Sequence, residues 1–147
     1  MSLSAERSSC ELCAGDGGAV LWRSEQLRVV HAGSADYPGF CRVIWQGHIR
    51  EMTDLSPAER DLLMAAVWRV ESVLRRLLRP DKINLAALGN VVPHLHWHVI
   101  PRFVADRHFP QPIWAPPLRD SVVVPLLHRD TLAAAIAAEF GATDGLA

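Results

Sequence analysis

PHLHWHVIPRF, residues 93–103, sets histidines at every second position and then runs into apolar residues. On a β-strand, residues i, i+2 and i+4 share one face. His94, His96 and His98 therefore make a row of imidazoles on one side, while Leu95, Trp97 and Val99 face the other way, into a core. One wet face and one buried face is the mark of a strand in an antiparallel sheet. Three aligned histidines serve no structural purpose that Thr or Gln would not serve as well. The row is the candidate site.

The flanking sequence supplies the rest of the fold. KINLAAL (82–88) reads as the preceding strand. Before it lies a long helix: Ser56 is a natural N-cap, Pro57 sits at N1, Glu59 completes a capping box, and Pro80 ends the run. Leu62, Leu63, Ala66, Val67, Val70, Val73, Leu74 and Leu77 recur at helical spacing and define its buried stripe. Upstream, AVLWR (19–23), QLRVVHA (26–32) and FCRVIWQ (40–46) read as three strands, the first two joined as a hairpin at Ser24-Glu25 and the last two separated by the turn-rich GSADYPG (33–39). Downstream, prolines punctuate residues 104–127, which read as an extended arm, and HRDTLAAAIAAEF (128–140) reads as a short helix with Asp130 at its N-cap. Trp22, Trp45, Trp68 and Trp97 are expected in the core. Trp114, in the arm, is placed to close over a substrate or to cross to a partner subunit. The order β-β-β-α-β-β-α gives an α+β fold over 1–147 as one domain: a five-stranded, mainly antiparallel sheet with one long helix and a short C-terminal helix.

Composition narrows the function classes. The 147 residues carry 15 Lys+Arg against 16 Asp+Glu, so no broad basic surface for nucleic acid is expected. No stretch approaches the length of an apolar membrane span, and MSLSAERSSCELC has no apolar core of a secretory signal. A soluble cytoplasmic protein is expected. Three cysteines make no disulfide framework; Cys10 and Cys13 form one CxxC, which gains meaning only if two further ligands exist elsewhere.

Two chemistries suit the histidine row. In one, a neutral imidazole attacks a phosphorus centre while its neighbours orient it and bind the anion. In the other, the three histidines chelate a metal that activates water, although residues 89–103 contain no Asp or Glu.

GNVVPHLHWHVIPR (89–102) resembles the signature of the histidine triad superfamily: three histidines alternating with apolar residues, preceded by Gly89 and followed by Pro101-Arg102. The likeness extends from the CxxC through the YPG turn and the long helix to the triad. It implies the fold just described, commonly paired into a homodimer, and nucleotidyl hydrolysis or transfer through a covalent nucleotidyl-histidine intermediate. Nucleoside phosphoramidates or dinucleoside polyphosphates are the implied substrates, and no cofactor is required for catalysis. By position His96 is the nucleophile, His98 contacts phosphate and His94 lies beside it as orienter. Asn90 falls where an amide commonly bonds a phosphate oxygen. Some relatives hold a structural zinc through a CxxC, a histidine after the third strand and the first triad histidine; Cys10, Cys13, His48 and His94 occupy those places.

The chain departs from the pattern in three positions. Pro38-Gly39-Phe40 lacks the histidine that usually follows Pro-Gly, so His96 must be oriented by a backbone carbonyl or another side chain. Val91 replaces a common hydroxyl donor. Ala32 replaces the acidic residue that often binds ribose, leaving Asp36 as the carboxylate near that region. The alternatives to the nucleophilic reading are a nucleotide-binding or sensing module with little catalysis, and the metallohydrolase.

Overall fold

The structure, a computed structural model, describes residues 3–120 and 124–141. Two short helices, α1 (Leu3–Ser8) and α2 (Glu11–Ala14), lead into β1 (Ala19–Arg23), β2 (Leu27–His31) and β3 (Cys41–Trp45). A 3-10 turn (Met52–Asp54) precedes α3 (Pro57–Leu78), and β4 (Lys82–Ala86), β5 (His96–Arg102) and α4 (Arg129–Phe140) follow. All five expected strands and both expected helices form, and the strands make one sheet in the order β1-β2-β3-β5-β4. Every neighbouring pair is antiparallel. β5, last of the five in the chain, is therefore inserted between β3 and β4.

The sequence sets the ends of α3. The Ser56 side chain accepts the Glu59 N–H, the Glu59 carboxylate accepts the Ser56 N–H, and Arg79 closes the helix in the left-handed conformation. Its buried stripe is Leu63, Ala66, Val67, Val70, Val73, Leu74 and Leu78. Those side chains pack with Leu132, Ile136 and Phe140 of α4 against Val29, Cys41, Val43 and Val99 of the sheet. Trp68 is a correction: at 52% exposure it lies on the outer face of α3, opposite the stripe. Asp130 is another, because His128 holds the N-cap position and Asp130 falls in the first turn, where its charge still suits the helix dipole.

With one face covered by α3 and α4, the other carries the chemistry. Cross-strand register puts Ile44 opposite His96 and Arg42 opposite His98, with Ala86 flanking His98 on the far side. Cys10, Leu12, Val30 and Ile44 form a small second cluster that seats α2 on part of this face.

Of the expected arm over 104–127, the part up to 119 is not extended. Residues 103–119 coil around Asp106, which is fully buried. Its carboxylate accepts two guanidinium bonds from Arg102, at 2.7 and 3.0 Å, and the N–H groups of Phe103, His108 and Phe109. Burial alone would raise this carboxyl, but Arg102 and the three backbone donors outweigh it and hold it well below the usual carboxylate range. Arg119 donates to the carbonyls of Asp106 and Phe109, closing the loop. Tyr37 adds its hydroxyl to the network, within 2.6 Å of His108 Nδ1. Residues 121–123 of the expected arm, and the ends of the expected 1–147 domain, lie outside the described residues.

Candidate active site

β5 begins at His96 rather than at Pro93. Pro93 has no N–H to give to a ladder, and the His94 N–H turns back to the Val92 carbonyl at 2.8 Å. The three histidines consequently have separate surroundings. His96 and His98 share the open face of β5, with ring centroids 4.9 Å apart and planes at 83°. His94 sits in the turn, 1% exposed, with its ring directed at the cysteines.

His96 has one decisive contact. Its Nδ1–H donates to the His94 carbonyl oxygen at 2.5 Å. Because Nδ1 carries the proton, the neutral ring has its lone pair on Nε2. The orientation that the missing histidine at position 40 leaves open thus comes from the backbone. Phe40 packs on His98 instead, at 5.5 Å between ring centroids. His98 is 6% exposed, and among the described residues no group bonds its Nδ1. Burial first, then the neighbouring His96 and the charge of Arg42, push His98 down to about 4. It is a neutral hydrogen-bonding group at pH 7, not a cation.

Cys10, Cys13, His48 and His94 form a second constellation, their ligand atoms all within 4.8 Å of one another. Nδ1 of His94 is 3.4 Å from Cys10 Sγ and 3.5 Å from Cys13 Sγ, and Nδ1 of His48 is 3.3 Å from Cys13 Sγ. A tetrahedron with bonds of about 2.0–2.3 Å has edges of roughly 3.3–3.8 Å, so these separations suit Zn²⁺. The Nε2–H of His94 is held by the Trp45 carbonyl at 2.6 Å, the outer hydrogen bond that a metal-binding imidazole typically makes. Among the described residues this is the one group of three or more such side chains that could hold a metal. His94, His96 and His98 do not converge as a ligand set, which removes the geometric basis of the three-histidine metallohydrolase.

A cleft of about 600 Å³ opens over His96 and His98. Gly89, Asn90 and Val92 line it from the β4–β5 loop, Glu11 and Gly17 from the N-terminal segment, Arg42 from β3 and Trp114 from the coiled loop. Asn90 is therefore at hand for a substrate. Val91, 93% exposed, lies at the same rim. Trp114 stands edge-on to His98 at 5.0 Å within the same chain. Asp36 is elsewhere: it pairs with Arg107 at 3.1 Å and does not line the cleft. The sequence reading missed Arg42 and Glu11. Arg42 was discoverable from its place on β3, one strand from the triad. Glu11 was not, since only the folding of α2 onto the sheet brings it near.

The HIT domain family model matches residues 17–105, well over half of the chain. The chain belongs to the HIT, or histidine triad, family. Over 100 residues it is 33% identical to a protein named AP-4-A phosphorylase from Mycobacterium tuberculosis, covering 64% of this chain and 49% of the relative. Over 74 residues it is 34% identical to an asymmetrical bis(5'-nucleosyl)-tetraphosphatase from Schizosaccharomyces pombe, covering 47% and 41%. The chain spans about half the length of the curated relatives it matches, or less. A histidine triad protein from Bradyrhizobium japonicum superposes with a TM-score of 0.68 at 29% identity, over 84% of this chain and 91% of that one. One from Sinorhizobium meliloti reaches 0.71 at 24% identity, over 90% and 98%, and shares the fold. Within this HIT domain, Ala32, Phe40 and Val91 are the three positions at which the chain departs from the expected pattern.

Proposed function

We propose that this protein is a hydrolase or nucleotidyl transferase that cleaves phosphorus-containing bonds of nucleotides through a covalent intermediate on His96. The observation that carries this reading is the 2.5 Å bond from His96 Nδ1–H to the His94 carbonyl, which leaves Nε2 as the free nucleophile at the floor of the cleft. The relatives' names, AP-4-A phosphorylase and bis(5'-nucleosyl)-tetraphosphatase, support dinucleoside polyphosphates as a substrate class; nucleoside phosphoramidates are the other class that the triad chemistry admits.

In the first step the Nε2 lone pair forms an N–P bond as the bond from phosphorus to the leaving group breaks, and the leaving group takes the electron pair. In the second, water attacks the same phosphorus, the N–P bond breaks, its pair returns to Nε2, and the proton of water passes to solvent. His98, neutral and buried beside His96, offers a hydrogen bond to a phosphoryl oxygen. Asn90 supplies an amide from the rim. These are positioning and charge-stabilising roles.

Zinc held by Cys10, Cys13, His48 and His94 would fasten the N-terminal segment to the turn before β5 and lock the position of the His94 carbonyl. Its role would be structural. The chain is further proposed to work as a homodimer in the cytoplasm. Support for the dimer is the open edge of β4, where Asn84, Leu85 and Ala86 meet the half-exposed Leu88 and Trp114 in a groove of about 640 Å³. Among the described residues no helix is long and apolar enough to cross a membrane, and Cys10, Cys13 and Cys41 are free thiols, which suits a reducing compartment.

Turnover of a panel of dinucleoside polyphosphates and nucleoside phosphoramidates, by the native protein and by His96→Ala, tests the function. Cleavage by the first and none by the second is expected; equal turnover by both would refute it.

A further inference from the structure

Phe40, the residue that stands in place of the family's extra histidine, carries a cation. The Arg42 guanidinium lies 5.2 Å from the centroid of the Phe40 ring, within the range of a cation–π contact. Phe40 immediately precedes β3 and Arg42 lies on it, directly opposite His98 in the β3–β5 ladder. The same Phe40 ring packs on His98. One aromatic side chain thus braces the guanidinium and the imidazole together.

Arg42 is half-buried yet lines the cleft. Its Nη1 donates to the Gly17 carbonyl at 2.8 Å. Gly17 is glycine of necessity: its φ is +79°, and a Cβ there would lie 2.6 Å from Leu12 and 2.9 Å from Ile44. The turn that presents this carbonyl is therefore closely fixed. Among the described residues no carboxylate is within 4.0 Å of Arg42, since the ion pairs of the protein lie elsewhere. Glu11 shares the cleft wall and its charge acts on Arg42, but it is exposed and makes no ion pair with the guanidinium within 4.0 Å. A planar guanidinium held from one side, with donors left over and no carboxylate partner, suits a multiply charged phosphate chain.

We propose that Arg42 binds the phosphates beyond the one attacked by His96, and so directs this site to polyphosphate anhydrides rather than to phosphoramidates. The proposal rests on the nucleotidyl-transfer reading above and narrows its substrate class. The chemistry of the leaving group agrees with it. A polyphosphate departs as a stable anion that needs charge neutralisation, which the Arg42 guanidinium supplies at neutral pH. An amine departing from a phosphoramidate needs a proton, and His98 is too weakly basic to carry one at neutral pH. With Val91 in place of a hydroxyl donor, a fixed cation also restores an anion contact to this face.

Binding in a His96→Asn background separates this proposal from the catalytic one, because nothing needs to be turned over. Calorimetric titration with adenosine 5'-triphosphate and adenosine 5'-monophosphate should show the triphosphate bound about 10-fold more tightly or better. Adding Arg42→Gln should weaken the triphosphate by about 10–100-fold and the monophosphate by less than about 3-fold. Arg42→Lys, which keeps the charge and loses the planar fork, should fall between and covers the case of a poorly folded glutamine variant. Equal affinity for the two nucleotides before the arginine is changed, binding of neither, or an equal loss of both on Arg42→Gln would overturn the proposal. If the native protein cleaves no nucleotide but the triphosphate preference is present and arginine-dependent, the catalytic reading fails and the role of Arg42 stands.

Discussion

The carbonyl oxygen of His94 accepts the Nδ1–H of His96 at 2.5 Å, while the His94 ring is held by the Trp45 carbonyl and faces Cys10 and Cys13. One residue thereby joins two constellations: its backbone sets the tautomer of His96, and its side chain belongs to the cysteine cluster. Disturbance of that cluster should reach His96 without touching it.

Removal of the proposed nucleophile, His96, should cost activity and little else. His96→Ala is expected to lower kcat by about 10⁴-fold or more, as loss of a catalytic nucleophile does elsewhere. Its circular dichroism should match that of the native protein. Residual turnover within about 10-fold of native would place the nucleophile on another residue.

Metal content is the second expectation. Protein purified without chelator should contain about one zinc per chain, by elemental analysis, and Cys13→Ser should lose it. The same variant should melt at lower temperature and show reduced kcat, because the His94 carbonyl loses its anchor. Native protein that carries no zinc, and whose melting temperature ignores added zinc, would remove the metal from the account.

Acid should destabilise the fold through His98. Its folded-state value lies near 4, below the usual 6.5, so the unfolded chain binds the proton more readily. The stability linked to this group is fully present above about pH 6.5 and is lost as pH falls towards 4, by on the order of 3 kcal/mol. Denaturant titrations at pH 7 and pH 4.5 should show the difference, and His98→Gln should shrink it. An unchanged slope in that variant would assign the acid sensitivity elsewhere.

Asp106 should matter more to folding than to chemistry. It is fully buried and bonded by Arg102 and three backbone N–H groups. Asp106→Ala would strand the Arg102 charge inside the protein, at a cost of about 3–5 kcal/mol. Chemical denaturation measures this directly; a loss below about 1 kcal/mol would mean that the loop over 103–119 is not held by this pair.

Periodicity and punctuation made the sheet and both main helices legible, because each element has a face that must be buried: the alternation at 94–99, the stripe from Leu63 to Leu74, the Ser56-Pro57-Glu59 cap. The same local rules could not place groups joined only by tertiary folding. α2 brings Glu11 and the two cysteines to the strand ends from far away in the chain. Strand alternation also set His94 in line with His96 and His98, whereas the turn after Pro93 rotates it out. The prolines after 104 suggested an extended arm, and the Asp106 network that coils it depends on Arg102 from the neighbouring strand. Arg42 was missed for a different reason: its place on β3, one strand from the triad, was readable in FCRVIWQ, but its position beside His98 follows only from the register of β3 with β5.

The central claim is that His96 carries the nucleotidyl group. Rapid mixing of the protein with a dinucleoside tetraphosphate, quenching in alkali where a phosphoramidate survives, and peptide mass spectrometry test it most directly. The account predicts a nucleoside monophosphoryl adduct on His96 that forms and decays at the rate of turnover. Turnover with no adduct, or with the adduct on another residue, would contradict it.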